Sequence, residues 1–176
     1  MASTEKPAEN FEIALRYSEE LDQALGEGST RMYDWIKHIK ADDISLIGRG
    51  NDMGIREDLI GFFGGLLQSI PGMLKGNKEL FVIGGPTYMS IEPLEGNTIR
   101  FSVCASRESA EASGPPEEYE PNAIIQVDAF VEESIKVAEE LYTHICEINS
   151  ELVDEIAIRG LREDIDNAKA AYAEWS

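Results

Sequence analysis

Apolar and polar positions alternate from Phe11 to Tyr17. Phe11, Ile13, Leu15 and Tyr17 share one face and Glu12 and Arg16 the other, the two-residue period of a half-buried strand. Ser18 is placed to cap a short helix from Glu19 to Leu25, closed by Gly26 and Gly28. From Ser29 the spacing changes. Met32, Trp35, Ile36 and Ile39 fall at helical intervals and predict a second helix carrying His38. Ile44, Leu46 and Ile47 predict a brief strand, and Gly48-Arg49-Gly50-Asn51-Asp52 a loop.

The run from Ile55 to Ile70 predicts a core helix that Pro71 and Gly72 end. The clearest β signal follows. Leu80–Ile83 is a short buried run bounded by Gly84-Gly85-Pro86, and Tyr88–Glu92 and Ile99–Val103 flank a turn at Glu95-Gly96-Asn97. Ser106–Asn122, with three prolines, predicts an exposed loop before a last strand at Ala123–Val127. Beyond it, Val131, Ile135, Ala138, Tyr142 and Ile145 make the stripe of one helix. Ile158, Leu161, Ile165, Ala168, Tyr172 and Trp175 make that of another. The expected fold is α+β: an antiparallel β-sheet, a meander with its hairpin at 88–103, packed against helices with a C-terminal helical pair.

At 176 residues the chain is long enough for one core. The reading is a disordered N-terminus over 1–9 and a single domain over 10–176. Cys104 and Cys146 are too few for a disulfide framework and lack zinc spacing, and Met1–Pro7 has no apolar export segment. The expected compartment is therefore the cytoplasm. Leu59–Leu74 is shorter than the roughly 20 apolar residues of a membrane span, and Gln68 and Pro71 interrupt it.

Charge changes this picture most. The chain holds 34 Asp and Glu against 15 Lys and Arg, a formal net charge of −19. Such a field repels nucleic acid and anionic membranes and draws in basic partners. The excess concentrates between residues 107 and 156, where fourteen acids face only Arg107 and Lys136. An amphipathic stripe runs through the same region, so the charge sits on a folded surface and not on a disordered tail.

No catalytic constellation emerges. The glycines of 48–54 match neither the dinucleotide fingerprint nor a phosphate loop. His144 and Cys146, two apart on a helix, point in different directions and cannot grip one metal. Cys104 and His38 would make a nucleophile pair only if the fold joined them, and no Gly-x-Ser-x-Gly elbow is present. No catalytic residue, metal ligand or cofactor is assigned. The candidate site is a partner-binding surface of Glu117, Glu118, Glu120, Glu132, Glu133, Glu139, Glu140 and Glu147, suited to the Lys and Arg of a basic protein.

The hairpin Tyr88–Val103, the strand Ala123–Val127 and the two helices to Trp175 give a layout that resembles the single-domain immunity proteins of bacterial polymorphic-toxin systems. The resemblance covers about half the chain and rests on arrangement alone, so it transfers no residue. It implies a small cytoplasmic α+β inhibitor of a basic toxin domain, without catalytic motifs. Two other readings stand beside it. One is an acidic, salt-adapted domain with no special partner. The other is a small-molecule-binding or enzymatic domain, its pocket between sheet and helices and lined by the glycine-rich turns at 48–54 and 84–86.

Overall fold

The computed structural model describes residues 6–48, 54–84 and 87–176. The elements in order are β1 (Phe11–Arg16), α1 (Glu19–Gly26), β2 (Tyr33–Ala41), β3 (Ile44–Ile47), β4 (Ile55–Asp58), α2 (Leu59–Leu74), β5 (Glu79–Ile83), β6 (Thr87–Leu94), β7 (Thr98–Cys104), α3 (Arg107–Glu111), β8 (Asn122–Gln126), α4 (Val127–Ile148), a 3₁₀ turn (Ser150–Asp154) and α5 (Ile156–Trp175). The fold is α+β, with antiparallel strands packed on helices and helices at the C-terminus.

The strands form two four-stranded sheets where the sequence predicts one. In the first, β1 lines one side of β2. On the other side β4 pairs with Tyr33–Ile36 and β3 with Ile39–Ala41. The second is the expected meander, β5-β6-β7-β8, with its hairpin turned by Gly96 and Asn97, both at positive φ.

The segment predicted as a helix from Ser29 to Ile39 is instead β2. Its register explains the disguise. Ala14 pairs with His38 and Leu15 with Ile36, which leaves Lys37 as an extra residue on β2. The bulge shifts the inward face from Asp34 and Ile36 to Ile39 and Ala41, all buried. A strand alternation with one skipped residue has the three-residue step of a helix.

The core helix also begins later and ends later than the sequence predicts. Ile55–Asp58 are strand, Asp58 caps α2 through its carboxylate to Ile60 N–H, and Pro71 lies inside the helix. Pro71 forfeits one ladder bond near the end, where buried Ile70 and Met73 hold the last turn to the core. Among the described residues no helix is long and apolar enough to cross a membrane.

One contiguous core joins the layers. Phe11 of β1, Phe101 of β7 and Phe130 of α4 meet with ring centroids 5.2–5.9 Å apart, so α4 packs on both sheets. On the second sheet, Met89, Ile91, Ile99, Phe101 and Ile125 face this core. The opposite face carries Ser90, Glu92, Arg100 and Ser102 and is covered by α3 and the chain after it. That segment, predicted as an open loop, is fastened: Gly114 N–H donates to the Glu92 carboxylate, and Ser106 caps α3. Of the segment 1–9 expected to be disordered, residues 1–5 lie outside the described residues, while Ala8 is buried and bridges the edge of β8.

Candidate functional site

The eight glutamates grouped by sequence do not form one surface. Glu117 and Glu118 are exposed but belong to the segment over the outer face of the second sheet, while α4 packs on its inner face. Glu120 is a correction. It is 3% exposed, and its carboxylate accepts from Ala105 N–H at 2.6 Å, from Glu117 N–H at 3.3 Å and from the Ser109 hydroxyl. A buried carboxylate that holds three donors ties down the segment and offers nothing to a partner.

On α4 the glutamates divide by their neighbours. Glu132 is exposed and accepts from the Tyr172 hydroxyl at 2.9 Å, as does Asp128. Glu139 lies 2.8 Å from Lys169 Nζ. Glu133 leans onto β1, where it accepts from Ile13 N–H, and burial raises its pKa, with Glu140 and Glu12 adding to the rise. Glu140 and Glu147 are exposed, on the half of α4 that meets α1.

That half belongs to a larger acidic end of the molecule. His144 Nε2 lies 2.6 Å from Asp22 Oδ1, and Asn149 Nδ2 donates to Leu25 O at 3.0 Å, so α1, α4 and the 3₁₀ turn stand together. Residues 19–27 and 137–155 hold ten carboxylates and no lysine or arginine. Eight of them are exposed: Glu19, Glu20, Glu27, Glu140, Glu147, Glu151, Asp154 and Glu155. The contribution of α1 was missed from sequence, although the base-free run Glu19–Glu27 was there to be read.

His38 and Cys104 stand on different sheets. His38, on β2, is bonded to Glu12 across 2.6 Å. Cys104 lies on the other sheet, where burial pushes its thiol up and the Glu120 charge pushes it further. Among the described residues no three His, Cys, Asp or Glu side chains converge to hold a metal ion.

A separate feature lies where the two sheets meet. A cavity of about 300 Å³ is walled by Leu46, Ile47, Ile55, Ile83 and Val103, with Gly48 and Thr87 completing the lining and Glu57 its one ionisable residue among the described residues. Glu57 accepts a hydrogen bond from Gly84 N–H, and burial raises its pKa, with Asp58 adding to the rise. The expected pocket lay between sheet and helices, whereas no helix residue lines this cavity; of the glycine-rich turns Gly48 lines it and Gly84 lies against Glu57, and residues 49–53 and 85–86 lie outside the described residues.

Comparison with known protein families, curated proteins and solved structures finds no match to this chain.

Proposed function

We propose that this chain is a protein-binding module that recognises a basic partner through its acidic end, as a cytoplasmic inhibitor or immunity-type protein does. One observation carries the reading: three elements in contact present eight exposed carboxylates, and none of the three stretches that carry them contains a lysine or arginine. α1 and α4 are anchored by buried residues such as Leu21, Leu25 and Ile145, so the carboxylates stand on a fixed frame. A fixed array loses less entropy on pairing than a flexible tail, and its field speeds encounter with a cationic surface.

The test separates a local surface from net charge. One variant replaces Glu19, Glu20, Glu140 and Glu147 with Lys; a control replaces Glu95, Glu108, Glu117 and Glu118. Both change the net charge equally. A basic protein captured from native lysate and then purified should associate at least about tenfold more slowly with the first variant than with the control. Equal slowing by both sets would reduce the acidic end to general solvation.

A further inference from the structure

The cavity between the sheets is independent of the acidic end. It draws Leu46 and Ile47 from β3, Ile55 and Glu57 from β4, and Ile83, Thr87 and Val103 from the second sheet. No single element owns it. At about 300 Å³ it holds roughly ten waters' worth of space and falls at the small end of small-molecule sites.

Among the described residues its one ionisable group is Glu57. Glu57 sits opposite Asp34 in the β2–β4 register, and Asp34 is 1% exposed with its carboxylate taken by Ser18 N–H at 2.8 Å. Neither Asp34 nor neighbouring Asp58 offers positive charge, and among the described residues no lysine, arginine or histidine lies within 4.0 Å of the Glu57 carboxylate. What holds Glu57 is a backbone donor. A Cβ on Gly84 would lie 2.5 Å from Glu57 Oε1, so a side chain there would push the carboxylate from its present seat. One carboxylate, seated by a glycine and faced by aliphatic walls, is half of a charge pair.

We propose that this cavity binds a small apolar amine, its ammonium hydrogen-bonded to Glu57 and its hydrocarbon body among Leu46, Ile55, Ile83 and Val103. An ammonium offers that carboxylate a positive charge and further donors. The walls select a ligand that is otherwise apolar. The negative field of the whole protein concentrates such cations near the mouth.

The experiment titrates the full chain with 2-phenylethylamine and, separately, with 2-phenylethanol, in about 150 mM salt to screen surface attraction. Methyl NMR follows Leu46, Ile55, Ile83 and Val103, and calorimetry measures the affinity. The expected result is saturable shifts at those methyls with the amine. Binding should weaken at least about tenfold for the alcohol and for Glu57→Gln. Val103→Phe, which fills the cavity from a different strand, should abolish the shifts. Amine binding unaltered by Glu57→Gln, equal binding of amine and alcohol, or no saturable shift would each overturn the proposal. None of these results bears on the acidic end.

Discussion

His144 of α4 stacks face to face on Tyr17, ring centroids 4.1 Å apart and planes 6° from parallel, while its Nε2 reaches Asp22 of α1. One imidazole thus joins the end of the first strand, the first helix and the long C-terminal helix. Burial raises the Tyr17 phenol to about 12, and the charges of Glu140, Asp34 and Asp22 add to that rise. His144→Ala removes stack and bond together and should cost about 1–2 kcal/mol. Asp22→Asn should cost less. Denaturant unfolding of the two single variants and the double variant should give a coupling of about 0.5–1 kcal/mol, as for two groups in direct contact. Strict additivity would mean that the pair contributes nothing.

Glu120 closes the polar side of the second sheet. With no carboxylate to accept from Ala105 N–H, Glu117 N–H and Ser109, the segment would keep three part-buried donors without their partner. Glu120→Ala should therefore destabilise by about 2–4 kcal/mol and speed amide exchange at Ala105 and Glu117. Glu117→Ala and Glu118→Ala, at exposed positions, should stay within about 0.5 kcal/mol of the parent.

These contrasts show what the sequence could reveal. The hairpin at 88–103 and the stripes of α4 and α5 were legible because each is a regular period that no residue interrupts. β2 was not, because the Lys37 bulge turns a period of two into an apparent helical step. Reading that segment as a helix hid the first sheet, and with it the seam where the cavity lies. Glu120 was grouped with its exposed neighbours because a run of glutamates does not record which carboxylate turns inward to accept backbone donors. α1 stayed outside the candidate surface because its nearness to α4 depends on the His144–Asp22 and Asn149–Leu25 contacts, 122 and 124 residues apart in sequence.

Stability should peak on the acid side of neutrality. Burial raises the pKa values of Glu57, Glu133 and Asp164. A raised folded pKa means that the folded state holds the proton more tightly. The resulting stability is full below the unfolded pKa and is lost as pH rises through the folded one. Glu12 works in reverse. Its bond to His38 lowers its pKa, so its contribution is present above the unfolded value and is lost as pH falls through the folded value. The melting temperature should rise as pH falls from about 8 to about 5, then decline at lower pH. Glu133→Gln, which mimics the protonated form, should raise the melting temperature at pH 8 by about 2 °C and leave it unchanged near pH 4. A melting temperature that climbs steadily to pH 8 would contradict this assignment.

Gly54 tests the bulge that hid the first sheet. β3 and β4 share one side of β2, and Gly54, just before β4, lies against the carbonyls of Ile36 and Lys37. Gly54 has φ of +65°, and a Cβ there would lie 1.9 Å from Ile36 O and 2.6 Å from Lys37 O. Both atoms are backbone in a paired strand, so neither can swing aside as a side chain would. Gly76 is the control: its φ is +90°, but a Cβ would meet nothing within 4 Å. Gly76→Ala carries only backbone strain and should cost about 1 kcal/mol. Gly54→Ala adds a backbone collision to that strain and should cost at least about 3 kcal/mol, or prevent folding. Measured by urea unfolding, similar losses at the two glycines would show that β4 can leave β2 without cost. The register of the first sheet would then depend on β1 and β3 alone.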